Sequence, residues 1–404
     1  MTPQIHRERE MRVDLLQVAA LLLLMVLSVA FVYSATMTGD SVVIATWYHQ
    51  RWFRQIVFFV LGIGAASAVC MVDYHVLSRW AFVAYWASIL SLIGVLFVGS
   101  LIYGARRWVQ FAGFQIQPSE FAKLAFILAM AHFLSRPVDE LRQPRIFWQA
   151  IGFMALPFLL IMKEPDLGSA LVLLPTGLAM LFVAGTPREY LVQLLTLGAV
   201  LAVLFLVDVL FAPQSLRIVK IQEYQMRRLL VYFGRDYASN KGGNISEAER
   251  ANLREEEFND SHNVRQAMIA VGSGGLTGEG WRHGQQNELG FLPVAGKHND
   301  FIFAVIAEEL GFVGSVTVLA LYSVVLFTGI RIAGQARDRL GKLLAVGVVT
   351  LLFSHVFINI GMNIRLMPVT GVPLPLLSYG GSSVLGSLIA MGMLQNIHMY
   401  RKVY

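Results

Sequence analysis

About ten runs of roughly 20 apolar residues, the length that crosses a hydrocarbon core, leave this chain few folds to choose from. They lie near 14–34, 53–72, 79–100, 117–134, 146–163, 167–185, 189–212, 301–330, 342–362 and 378–398. Inside a bilayer the backbone finds no water, so such runs must close their hydrogen bonds internally as helices. Charged residues make up 14% of the chain and apolar residues 56%, where a soluble domain carries about 25% charge. The expected fold is an all-α polytopic membrane protein, a single transmembrane domain over residues 1–404. Arg7, Arg9 and Arg12 precede the first run as in a signal peptide, but the run from Leu15 to about Tyr33 exceeds the ~7–15 residues of a signal core. It is read as a retained anchor.

Basic residues in short loops set orientation. Arg51, Arg54, Arg106, Arg107, Lys163 and Arg365 fall on one side; more than twice as many, from Arg7 through Arg136 and Arg337 to Lys402, fall on the other. That asymmetry puts both termini in the cytoplasm and the one long connection, 213–300, outside. Within it Leu216–Phe233 reads as an amphipathic helix suited to a membrane surface. The polar insert 235–262 is expected to be mobile or weakly helical. The net charge of +6 holds no basic block, so no nucleic-acid partner is expected. A lone cysteine, Cys70, excludes an internal disulfide and argues against a thiolate metal site.

Several polar motifs interrupt the apolar pattern. Asp300 ends a polar approach and an apolar run begins at Phe301; Glu308 and Glu309 follow about two helical turns deeper. Ionisable groups at membrane depth are functional candidates, although Asp300 taken alone reads most simply as a helix N-cap. Glu120 and Lys123, i and i+3 after Gln117-Pro118, suit either a structural ion pair or the floor of an outward-facing cavity. Arg106 and Arg107, beside Trp108, are interfacial anchors or phosphate grips. Glu164-Pro165-Asp166 reads as a turn in which Asp166 caps the next helix. The glycine-rich run 272–280 fits neither nucleotide fingerprint; its glycines let backbone approach another segment or a lipid headgroup. Three prolines within Pro368–Pro375 prohibit regular helix, before Ser378-Tyr379-Gly380-Gly381.

In this order, Arg107-Trp108, Gln117-Pro118-Ser119-Glu120-Phe121-Ala122-Lys123, Pro165-Asp166-Leu167-Gly168, 269–276, His298, Asp300-Phe301-Ile302 and the closing Pro-rich run resemble the SEDS family (shape, elongation, division and sporulation), polytopic peptidoglycan polymerases. Gly371-Val372-Pro373-Leu374-Pro375 looks like its RodA branch, used in cell elongation, more than its FtsW branch. The resemblance implies a peptidoglycan glycosyltransferase acting on lipid II at the outer face of the bacterial inner membrane. It implies a class B penicillin-binding protein and other elongation-complex membrane proteins as partners. It places the essential carboxylate at Asp300, the Glu/Lys pair at Glu120 and Lys123, a cavity arginine at Arg51 and a Tyr-x-x-x-Arg element at Tyr224 and Arg228. Three departures stand out: Glu164 where the family has Gln, a longer approach over 292–297, and the insert at 235–262.

On this reading Asp300 is the general base, because a hydroxyl nucleophile needs a positioned proton acceptor. His298 and Gln266 position substrate, joined by Trp108, Gln117, Ser378 and Tyr379. Arg51, Arg107 and Arg228 meet the leaving diphosphate. Glu120, Lys123 and Asp166 shape the cavity. No metal constellation is visible in the sequence; a divalent cation, Mg or Mn, is the one cofactor the chemistry admits. The residues alone also fit a transporter that flips lipid II, or a silent scaffold for a penicillin-binding protein.

Overall fold

The computed structural model describes residues 13–37, 47–102, 105–111, 114–211, 223–234, 262, 264–289 and 298–401. Among them ten helices of 17 or more residues form the body: α1 (Leu15–Thr36), α2 (Arg51–Met71), α3 (Ala81–Val98), α4 (Pro118–Leu134), α5 (Pro144–Lys163), α6 (Leu167–Ala184), α7 (Arg188–Phe211), α8 (Ile302–Gln335), α9 (Arg339–Asn363) and α10 (Gly381–Tyr400). Each coincides with one of the ten apolar runs to within a few residues, except that α8 continues to Gln335. Eight are long and apolar enough to cross a membrane. The other two, α4 and α10, carry buried polar groups, Glu120 and Lys123 in one and Gln395 and Asn396 in the other. The chain is an integral membrane protein.

Local chemistry sets the helix ends. Asp14 caps α1 by accepting from Gln17 N at 3.2 Å, and Asp166 caps α6 by accepting from Ser169 N at 3.1 Å, which ties down amides that lack a partner in the first turn. Pro118 opens α4, where a missing N–H costs nothing. Gly185, at φ 88°, closes α6 in the left-handed conformation that glycine adopts freely. The bundle centres on α9, packed between α6 and α8, while α10 lies along α2, and α1 along α8. Helix α7 buries only Leu191 and Val209.

The structure adds three features to the expected plan. Residues 100–116 form a small antiparallel sheet, β1 (Ser100–Ile102), β2 (Ala105–Phe111) and β3 (Phe114–Ile116). The amphipathic segment is helical over Glu223–Tyr232; residues 216–222 and nearly all of the 235–262 insert lie outside the described residues, as does 291–297. Most consequentially, α8 is broken at Gly311 (φ 65°, ψ −157°), a backbone region essentially reserved for glycine.

The glycine-rich run repairs that break. Phe312 N and Val313 N, cut off from their helical partners, donate to Gly275 O at 2.9 Å and Leu276 O at 3.1 Å. Glu308 O and Glu309 O accept from Glu279 N and Gly280 N, both at 3.0 Å. The backbones meet so closely that a Cβ at Gly274 would lie 1.9 Å from Ala307 O, and one at Gly278 2.2 Å from Glu309 O. Of the two roles open to these glycines, the structure shows approach to another segment. Glu308 and Glu309 are fully buried at the break: Glu308 Oε1 accepts from Gln286 N at 2.6 Å, and Glu309 Oε1 accepts from Ser34 Oγ of α1. Gly311→Ala is expected to lose about 1–3 kcal/mol from backbone strain alone, and more from its Cβ meeting Gly278 N at 2.4 Å. Thermal unfolding of the detergent-solubilised protein reads that loss.

Candidate active site

The Pro-rich run folds into the bundle as irregular backbone, which membrane depth tolerates only where protein supplies the missing hydrogen bonds. Four helices supply them. Ser28 Oγ of α1 donates to Leu377 O at 2.9 Å, and Gln55 Nε2 of α2 donates to Ser378 O at 3.1 Å. Tyr322 OH of α8 donates to Pro375 O, and Asn359 Nδ2 of α9 donates to Val372 O at 2.8 Å. Gly168 at the start of α6 fits under the same run, where a Cβ would stand 2.8 Å from Thr370 O.

Asp300 is held against this scaffold by its backbone. Its carbonyl accepts from Asn359 Nδ2 and Asn363 Nδ2, both at 3.0 Å. Ser378 Oγ donates to Asn299 O at 2.6 Å and accepts from Leu374 N at 2.8 Å, while Tyr379 N donates to His298 O at 2.9 Å. The carboxylate lies near Gly371 and Arg228: a Cβ at Gly371 (φ 74°) would sit 3.6 Å from Asp300 Oδ2 and 4.0 Å from Arg228 Nη1. Position 371 needs glycine for its left-handed backbone. Asp300 precedes α8 without capping it; the cap position is Phe301. Burial pushes the Asp300 carboxyl up to about 6, with Arg228 opposing, Asp166 adding and Arg107 opposing. That range suits a base working near neutral pH.

Around it the expected residues divide into two groups. Arg51 Nη1 lies 3.5 Å from His298 Nδ1, and His298 meets Tyr379 edge to face at 5.7 Å between ring centroids, so these three reach the Asp300 segment together with Arg228. Arg107, near enough to oppose the rise of the Asp300 carboxyl, is also held by the 164–166 turn. Its Nε donates to Glu164 O at 3.0 Å and its Nη2 to Pro165 O, with Nη1 at 4.0 Å from Asp166 Oδ1. Gln117 Nε2 donates to Asp166 Oδ2 at 2.8 Å. Arg107 and Gln117, expected on substrate, thus brace the 164–166 turn. Ser100 pairs with Trp108 and Leu101 with Arg106, which leaves Arg107 as the extra residue of a bulge in β2, a device that re-aims a side chain. Ser378, also expected on substrate, is 1% exposed with its hydroxyl engaged by protein on both sides. Gln266 pairs with His262 of its own helix at 3.0 Å.

One turn deeper, Lys123 Nζ donates to Glu120 Oε1 at 2.8 Å and lies 2.9 Å from His355 Nε2. An ammonium has only donors, so His355 Nε2 is the acceptor and its ring proton sits on Nδ1. His355 is one turn before Asn359 on α9, which joins the buried pair to the Asp300 carbonyl. Sequence reasoning gave roles to none of His355, Asn359, Asn363 or Gln55. The i, i+4, i+8 spacing of His355, Asn359 and Asn363 in an otherwise apolar run was the available signal. Among the described residues no three His, Cys, Asp or Glu side chains converge on a metal-sized site.

The model of the "Cell cycle protein" family (FtsW, RodA and SpoVE) matches residues 14–403. The chain is a SEDS-family protein. It is 33% identical over 383 residues to "Peptidoglycan glycosyltransferase MrdB" of Escherichia coli K12, which covers 94% of each chain. It is 33% identical to "Peptidoglycan glycosyltransferase RodA" of Treponema pallidum, over 95% of this chain and 97% of that one. Among solved structures, one described as "Structural coordination of polymerization and crosslinking by a peptidoglycan synthase complex" superposes with a TM-score of 0.73 at 27% identity, covering 96% of this chain and 98% of that one. RodA of Thermus thermophilus superposes at 0.64 with 26% identity, covering 99% of both.

The SEDS context gives Glu164 a physical explanation. Its carboxyl is fully buried and has no hydrogen-bond partner among the described residues. Burial, then Asp166, push it up to about 9 against the pull of Arg107. At neutral pH it is therefore a neutral acid, close in shape and charge to the Gln that the family resemblance places there. Glu164→Gln should leave activity near the parental value at pH 7 and should melt no lower than the parent there, since the folded parent must hold a proton that its unfolded chain has already released. The parent alone should lose stability as pH rises toward about 9, because the unfolded chain releases that proton near the ordinary carboxylate pKa. Melting curves of both proteins across that interval check the difference.

Proposed function

We propose that this SEDS protein is a peptidoglycan glycosyltransferase that polymerises lipid II during cell elongation. The 4-hydroxyl oxygen of an acceptor GlcNAc bonds to the anomeric carbon of a donor MurNAc, and its proton passes to Asp300. The bond from that carbon to the phosphate oxygen breaks, and the electron pair leaves with undecaprenyl diphosphate. The observation that carries this reading is the Asp300 carboxylate, raised toward neutral pH and standing with Arg228 over Gly371. Arg228 and Arg51 are the cations placed to meet diphosphate charge as it develops, while Arg107 keeps the 164–166 turn in position beside them. Among the described residues no three carboxylates, histidines or cysteines converge on a metal site; a Mg or Mn ion, if used, would supply positive charge to the leaving diphosphate beside Arg228 and Arg51.

The polar end of the bundle, with the sheet, the Pro-rich run and Asp300, is read as the outer face of the bacterial cytoplasmic membrane. The 213–300 connection then lies outside and both termini in the cytoplasm, in keeping with the loop charges. The partner is proposed to be a class B penicillin-binding protein, since the similar solved structure is described as coordinating polymerization with crosslinking. Incubation of the purified protein with lipid II in the presence of moenomycin, followed by gel analysis, tests the reading. Glycan strands support it; transfer of lipid II across liposomes without strands would identify a flippase instead.

A further inference from the structure

An apolar groove of about 700 Å³ runs between α1 and α2, with Met25 and Ala30 on one wall and Phe59 and Ile63 on the other. On its rims Val26 is 66% exposed and Val60 64%. From Leu22 to Tyr33 it follows about 16 Å of helix. At the end nearest the active site it is closed by aromatic rings, with Trp281 stacked on Tyr33 at 6.1 Å and Trp52 edge-on to Tyr33 at 6.0 Å. Two cations stand there. Arg282 lies over the Tyr33 ring at 5.5 Å, and Arg51, next to Trp52, reaches His298.

We propose that this groove seats the polyprenyl chain of one of the two diphosphate-linked saccharide substrates. A long apolar slot ending in aromatic rings and two arginines matches an amphiphile with a hydrocarbon tail and an anionic head. A phospholipid shares that chemistry, but the aromatic end of the slot lies beside Arg51, which reaches His298 two residues from Asp300, so a diphosphate resting on Arg51 brings its sugar to the base. Trp281 and Arg282 belong to the same outer segment that repairs the α8 break, which fixes the lid of the groove to the base of the active site. This inference rests on the glycosyltransferase reading and adds where a substrate enters.

The test compares full-length lipid II with a short-prenyl analogue. The parent should favour the long chain in kcat/KM by about tenfold, and Val26→Trp and Val60→Trp, which fill the slot from either rim, should abolish that preference through KM. Leu90→Trp, on the lipid-facing side of α3 (68% exposed), controls for a bulky ring at the membrane surface and should keep it. A diazirine on the prenyl chain should label 22–33 and 52–63, and an equal excess of phospholipid should not displace it. An unchanged preference in both groove variants, no preference in the parent, or displacement by phospholipid would overturn the proposal. Absence of strands from either lipid with intact labelling would instead strike the glycosyltransferase reading.

Discussion

Asp300→Asn is expected to reduce glycan polymerisation by about 100- to 10,000-fold, the contribution of a positioned general base, while leaving the protein folded. The amide keeps the shape of the side chain, and the Asn359 and Asn363 contacts go to the residue 300 backbone, so the scaffold survives. The folded protein binds the Asp300 proton more tightly than the unfolded chain does, since burial raises that carboxyl to about 6. Stability therefore falls as pH rises from the ordinary carboxylate range to about 6, and stays lower above it. The asparagine variant escapes that loss. Above pH 6 it should melt no lower than the parent, although it is inactive. The parental rate should fall as pH drops through about 6, where the base becomes protonated. A variant that is inactive because it is unfolded, or a parental rate flat across that interval, would remove Asp300 from the role.

Lys123→Met should lose about 3–5 kcal/mol of stability, because it leaves Glu120 buried without its counter-charge. Lys123 is 1% exposed and Glu120 5%, so neither can reach water without opening the bundle. The double variant Glu120→Gln, Lys123→Met removes both charges and should recover much of that stability. The cycle of single and double variants isolates the pair energy. Chemical denaturation in detergent gives the four values. Activity is expected to fall further than stability recovers in the double variant, since His355 loses its Lys123 donor and the link through Asn359 to residue 300 loosens.

Hydropathy made the ten helices legible, because a bilayer imposes the same length and apolarity on every crossing. Asp300 was legible for a related reason: a carboxylate where polarity ends is costly and therefore conspicuous. The hidden features depend on contacts between segments far apart in the chain. Nothing local to Gly311 announces a break, since glycine sits within many membrane helices; the break becomes visible only once residues 274–280 are seen filling it. The sheet over 100–116 is too short for its alternation to stand out among apolar neighbours. Arg107, Gln117 and Ser378 have the right chemistry for substrate, and their type alone could not reveal that each also bonds to protein, Arg107 and Gln117 to the 164–166 turn and Ser378 to Asn299 O.

The splice at Gly311 also decides how force travels. A continuous helix would transmit any outward pull along its whole length into the membrane. Here the ten residues from Ile302 to Gly311 are fastened to extramembrane chain, and the remainder of the rod can stay where it is. The run 274–280 and the first turns of α8 are therefore one mechanical unit, joined by the bonds from Phe312 and Val313 and to Glu308 and Glu309, with Asp300 just ahead of it.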